Sequence, residues 1–192
     1  MEDSRRNVLL GITGSVAAMK GVELISCLMQ SNFDVQVVIT TNACNFLDKS
    51  LIEVPVYTDV DEYTYWGKRG DPVLHIQLRD WADILLIAPL SANTLAKIAS
   101  GLCDNLLTCI ARAWHSTGTT PNKPKKPAIF APAMNTFMWE NPLTSIQVDI
   151  LCKTLNWTMI EPIQKTLMCG DFGKGAMEEP HRIVEFVQNL KL

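Results

Sequence analysis

The stretch that most restricts the fold is DILLIAP, residues 83–89, in which five apolar residues follow one another without a polar break. A strand with one wet face alternates. A strand that is apolar throughout has to be covered on both faces, as in a parallel sheet sandwiched between helices. NVLLGI (7–12), DVQVVIT (34–40), AIFAP (128–132) and WTMIEP (157–162) read as further strands. Helical spacing of apolar residues fills the intervals at 15–30, 92–100, 104–114 and 141–155, and recurs at 180–190. This alternation predicts an α/β fold: a single-domain doubly wound parallel sheet, flavodoxin-like or Rossmann-like, with helices on both faces and right-handed crossovers. The domain is expected to span 1–192, with a flexible loop at about 115–127 and a glycine-rich flap at about 163–177. In such sheets ligands bind beyond the carboxyl ends of the strands, and the unusual residues of this chain gather there.

A length of 192 residues suits one domain with a sizeable core, and 47% hydrophobic against 19% charged residues fits a globular protein. The net charge of −3 argues against nucleic acid, whose phosphates require a basic face. The lysine-rich PNKPKKP (121–127) is short, proline-broken and reads as a solvated loop. None of the six cysteines forms C-x-x-C or a zinc-finger spacing, so no metal is expected. MEDSRR runs straight into the first strand, and no apolar run reaches 18 residues. The expectation is a cytoplasmic protein with reduced thiols and no membrane partner. Cys27, Cys103, Cys109 and Cys152 read as small apolar fillers of helical segments, Cys44 is unassigned, and His115 and His181 read as solvated.

GITGSVAAMK (11–20) joins the first strand to the first helix. Read alone it serves equally well as a plain strand–helix turn or as a phosphate cradle, with Ser15 capping the helix or donating its hydroxyl. Its spacing is G-x-x-G-S, not G-x-G-x-x-G, and the second strand ends in ITTNA without the acidic residue that binds a dinucleotide ribose. Thr40 and Thr41 there are neutral donors, which suit a mononucleotide such as FMN better than NAD. PLSANT (89–94) brings Ser91, Asn93 and Thr94 to the same edge, a density of polar groups that favours a ligand over an ordinary cap.

APAMNTFMW (131–139) contains P-x-M-N-x-x-M-W as Pro132, Met134, Asn135, Met138 and Trp139. Together with HIQLRDWADILLIAPLSANT (75–94) and CGDFGKGAM (169–177), it resembles the homo-oligomeric flavin-containing cysteine decarboxylases over nearly the whole chain. Departures are Leu90, where that family often has alanine, and the long 115–127 insertion. The resemblance implies FMN as cofactor, held by Gly14, Ser15, Val16, Thr40, Thr41, Phe46, Ser91, Ala92, Asn93, Thr94, Ala133 and Met134. It implies 4′-phosphopantothenoylcysteine as small-molecule substrate, oxidised to a thioaldehyde, decarboxylated, and re-reduced from the ene-thiol to 4′-phosphopantetheine in coenzyme A biosynthesis.

The residues it assigns to catalysis are His75, Asn135 and Cys169, with Asn135, Met138 and Gly170 at the substrate. From composition alone His75 is an ordinary structural histidine; the motif makes it the base or the group that orients the carboxylate. Asn135 donates to the carboxylate while its oxygen accepts from the amide side. As an uncharged donor it does not oppose loss of CO2. Cys169 is the acid on a flap that Gly170, Gly173 and Gly175 allow to move. The resemblance implies a homotrimer with FMN between subunits, the Asn135 motif and Ser15 coming from different ones. GLCDNLLTCIARAW (101–114) is a candidate for packing against a neighbour. Alternatives are a non-catalytic relative that binds a protein phosphatase, a peptidyl-cysteine decarboxylase, a flavin prenyltransferase and a nicotinamide dehydrogenase. The chain ends at Leu192 without an acidic tail and keeps His75, Asn135 and Cys169 together, which disfavours the first.

Overall fold

The computed structural model describes residues 5–64, 67–118, 124–166 and 172–190. The first strand, β1 (Arg6–Ile12), leads through a 3-10 turn at Val16–Lys20 into α1 (Gly21–Gln30). Next come β2 (Phe33–Ile39), the two-residue β3 (Val56–Tyr57), α2 (Asp59–Thr64) and α3 (Leu74–Trp81). The middle of the chain forms β4 (Ile84–Leu90), α4 (Ala92–Ala99), α5 (Leu106–Ala113) and β5 (Ala128–Pro132). It closes with α6 (Thr136–Glu140), α7 (Pro142–Asp149), β6 (Thr158–Met159), β7 (Ile163–Thr166), β8 (Phe172–Ala176) and α8 (Pro180–Gln188). Six strands pair in parallel in the order β3-β2-β1-β4-β5-β6, while β7 and β8 form a separate antiparallel pair.

The uninterrupted apolar strands follow from double coverage. Successive side chains point to opposite faces, so β1 sends Val8, Leu10 and Ile12 into one core and Leu9 into the other. The first core also takes Val37, Ile39, Leu86 and Ala131, and is closed by α1 and α8 through Leu24, Leu28, Ile183 and Val187. The second takes Val38, Leu85, Ile87 and Phe130, closed by Leu78, Leu95, Leu107 and Ile110 from α3, α4 and α5. The apolar side of α5 is thus spent within its own chain. Leu102, just before α5 in the 101–114 stretch expected to pack on a neighbour, is half-exposed.

Several expected elements come out shorter or divided. The predicted helix over 15–30 splits because Ser15 caps a 3-10 turn, and α-helical hydrogen bonding begins at Gly21. The predicted helix over 141–155 widens after Asp149 into a π turn at Ile150–Thr154, where Leu155 N donates to Ile150 O. WTMIEP contributes two residues to the sheet edge. Cys103 lies in the turn between α4 and α5 and is exposed, not a helical filler. His115 Nε2 is buried rather than solvated.

The β7–β8 pair, unforeseen as a hairpin, docks on the start of α6. Met134 N donates to Gly175 O (3.0 Å), and Lys174 Nζ reaches Glu161 (2.8 Å) over the ring of Trp139. Gly175 has φ +141°, and a Cβ there would stand 2.5 Å from Met134 O. Glu179, before α8, accepts from both Lys20 and Lys165, contacts that hold its carboxyl below the ordinary range. Replacing Gly175 with alanine is expected to cost about 1–3 kcal/mol at that backbone position. The hairpin should lift off first, so limited proteolysis will cut within 163–177 much faster than in the parent protein.

Candidate active site

The central strands all deliver their C-terminal turns to one edge of the sheet: Gly14 after β1, Thr40 and Thr41 after β2, Ser91 after β4, and Ala133 to Asn135 after β5. The sheet grows one way from β1 to β3 and the other way from β4 to β6, so the crevice between β1 and β4 is its switch point. A cavity of about 220 Å³ opens there. Gly14, Thr40, Thr41, Ser91, Asn93 and Thr94 line it, and Asn42, Asp59, Lys97, Asp104 and Asn105 complete its wall. Gly14 allows the two strand-end turns to meet, since a Cβ would stand 2.6 Å from Cβ of Asn42.

Thr13 sets the crevice. Fully buried, its Oγ1 donates to Pro89 O (2.8 Å) and accepts from Ser91 N (2.8 Å), tying β1 to the turn that opens α4. Ser91 Oγ then caps α4, accepting from Thr94 N and donating to Thr94 Oγ1, both at 3.3 Å. Thr40 Oγ1 donates to Ile12 O (3.5 Å) and Thr41 Oγ1 to Asp59 Oδ2 (3.0 Å). The hydroxyls therefore shape the wall through bonds to their own chain. The first-turn amides of α4, at Ala92 and Asn93, have no intrahelical acceptor and carry the positive end of the helix dipole. At the rim Lys97 pairs with Asp104 (2.5 Å), and its hydrogen bond is the main reason the Asp104 carboxyl lies below its ordinary range.

The other predicted residues are distributed around this cavity. Ser15 caps the 3-10 turn by accepting from Ala17 N (3.4 Å), and Val16 and Phe46 are exposed beside the strand ends. Ala133 and Met134 are buried, the former donating to Leu90 O (2.9 Å). Asn135 caps α6: its Oδ1 accepts from Met138 N (2.9 Å). Met138 is half-exposed. His75 stands at the second position of α3 with Nδ1 2.5 Å from Glu62 Oε1. His75, Asn135 and Met138 do not border the cavity. Cys169 and Gly170 lie outside the described residues.

Sequence reasoning overlooked Asn42, Asp59, Lys97, Asp104 and Asn105. Asn105 carries a readable signal: with Thr108 three positions on, it forms a capping box. Asp59 carries none, since its two bonds, from Thr41 Oγ1 and from Leu106 N (3.1 Å), join distant segments. Burial pushes the Cys109 thiol up, assisted by Cys103, Glu62, Asp104 and Asp59, and burial likewise raises Cys152. Both suit packing rather than nucleophilic work.

Residues 1–192 match the family model "Flavoprotein". The chain belongs to the Flavoprotein family. Among its relatives is a phosphopantothenoylcysteine decarboxylase of Arabidopsis thaliana, 54% identical over 183 residues, covering 94% of this chain and 83% of the relative. Among solved structures, a cysteine-to-serine variant of PPC decarboxylase complexed with pantothenoylaminoethenethiol superposes with a TM-score of 0.89. Its identity to this chain is 52%, over 96% of this chain and 97% of the other. An FMN binding protein superposes at 0.85, with 52% identity over 96% and 95%.

In this flavoprotein the Thr13 hydroxyl, beside a longer bond from Thr13 N to Pro89 O (3.3 Å), ties the end of β1 to the α4 turn. Thr13→Val keeps the shape but strands the Ser91 N–H, and a buried unpaired donor costs about 1–3 kcal/mol. Urea unfolding is expected to show that loss for Thr13→Val and most of the stability retained in Thr13→Ser.

Proposed function

We propose that this protein is the FMN-dependent decarboxylase that converts 4′-phosphopantothenoylcysteine to 4′-phosphopantetheine in coenzyme A biosynthesis. The observation that carries this reading is the near-full-length likeness to a PPC decarboxylase complexed with pantothenoylaminoethenethiol. The name of that ligand denotes an ene-thiol, the stage reached once the carboxyl carbon has gone. The cavity fits the polar end of a mononucleotide: Gly14 leaves the backbone open, the α4 amides attract an anion, and no acidic side chain follows β2 directly. Ligand pockets run to roughly 300–1,000 Å³, so about 220 Å³ encloses that end and leaves the flat ring to be covered from outside the chain.

FMN, when bound, supplies the two-electron chemistry, accepting a hydride equivalent from the thiol-bearing carbon and returning one after CO2 has left. The chain supplies the rest. Gly14, Ser15, Val16 and the α4 turn from Ser91 to Thr94 hold the phosphate and sugar side, with Thr40, Thr41, Phe46, Ala133 and Met134 along its flanks. His75 exchanges the proton of the substrate. Asn135, fixed by its cap, presents Nδ2 to the carboxylate without the ground-state stabilisation a lysine would add. Met138 and Gly170 border the substrate, and Cys169 delivers the proton that saturates the ene-thiol.

The protein works in this reading as a homotrimer in the cytoplasm. The open side of the cavity and the exposed Phe137, Leu143 and Ile146 beside Asn135 support a covering subunit. The five described cysteines are free. No described helix is long and apolar enough to cross a membrane.

The purified yellow protein, given 4′-phosphopantothenoylcysteine, is expected to release CO2 and 4′-phosphopantetheine, and to leave a peptide ending in cysteine unchanged. Turnover of the peptide instead would reassign the substrate. Cys169→Ser is expected to release CO2 but accumulate a product two hydrogens lighter by mass spectrometry. Full conversion to the saturated aminothiol would remove Cys169 from the proton step.

A further inference from the structure

Glu62 in α2 and His75 in α3 meet away from the cavity wall. The carboxylate is 11% exposed, the imidazole 25%, and Glu62 Oε1 lies 2.5 Å from His75 Nδ1. Glu62 Oε2 is buried and has no hydrogen-bond partner among the described residues. A half-satisfied buried carboxylate is a poor packing choice, since an apolar side chain of similar size would avoid its desolvation. The short helix that carries it is itself braced. Thr58 N and Oγ1 bind Asp61 Oδ2 at 2.7 and 2.8 Å, and Asp59 is held by Thr41 Oγ1 and Leu106 N. Asp59 and Glu62 are three residues apart and share one helix face. That face therefore joins the wall of the cavity, through Thr41, to the ring of His75.

We infer that Glu62 is a positioning residue for His75. A carboxylate at Nδ1 accepts the Nδ1–H, which places the lone pair of the neutral ring on Nε2 and aims that nitrogen outward. Glu62 does not border the cavity. The inference rests on the decarboxylase reading, in which His75 exchanges the substrate proton, and it adds the group that selects the reactive nitrogen.

The test compares the holoenzyme with Glu62→Gln and Glu62→Asp. A glutamine amide can donate to Nδ1 and so favours the opposite tautomer at nearly unchanged volume. General acid–base steps contribute about 10²–10⁴-fold. Glu62→Gln is therefore expected to lower kcat by about 10²-fold while KM and the bound-flavin spectrum stay as in the parent, with Glu62→Asp recovering part of the rate. ¹⁵N NMR of the three histidines is expected to show His75 protonated at Nδ1 in the parent at alkaline pH and at Nε2 in Glu62→Gln. Parental kcat in Glu62→Gln would overturn the inference, as would a parental His75 protonated at Nε2. A parent protein that binds FMN but releases no CO2 would defeat the substrate reading alone, and the parental tautomer would then decide the Glu62 assignment. The parental spectrum and Glu62→Asp likewise decide it if Glu62→Gln does not fold.

Discussion

The hydroxyl of Thr13 joins the ends of β1 and β4, the two strands from which the sheet grows in opposite directions. Helices leaving neighbouring strands toward opposite faces must part at that place, and the parting creates a crevice. Left to itself such a crevice would expose the last carbonyls of one strand and the first amides of the next helix. The threonine satisfies one of each at 2.8 Å. Ser91, directly bonded to it, can then turn its own hydroxyl to the α4 cap, and the remaining amides of that turn are left for a guest. Sheet topology, helix capping and ligand capacity are in this sense one arrangement.

The long strands were legible because burial on both faces suppresses polar residues. β1, β2, β4 and β5 fall within one residue of the apolar runs that announced them. Elements whose stability comes from tertiary contacts were not. β3 has two paired residues, too few for any periodicity, and β6 keeps two of the six residues read as a strand. α2 has no fully buried residue and is held through Asp59, Asp61 and Glu62, whose partners lie partly on other segments. The β7–β8 pair docks through contacts with Met134, Trp139 and Glu161.

The site was legible in a similar proportion. Gly14, Thr40, Thr41, Ser91, Asn93 and Thr94 border one cavity because each follows a strand of the parallel sheet, so adjacency at the edge could be inferred from strand order. What could not be inferred was which groups were already engaged. Asn135 gives its oxygen to a helix cap, and Thr41 gives its proton to Asp59. Nor could the pairing of Glu62 with His75 be anticipated, since the two stand thirteen positions apart on separate helices. Residue types report chemistry; only coordinates report prior commitments.

The 115–127 segment begins and ends on fixed points. His115 O accepts from Lys126 N (2.8 Å), and Trp114 Nε1 donates to Lys126 O (3.0 Å). The Lys126 ammonium donates to the carbonyls of Arg79, Asp80 and Ala82 at the end of α3. A loop stapled at its neck communicates little of its own length to the sheet, because closure entropy rises only logarithmically with added residues. Residues added between those anchors are expected to cost little free energy while β5 keeps its place.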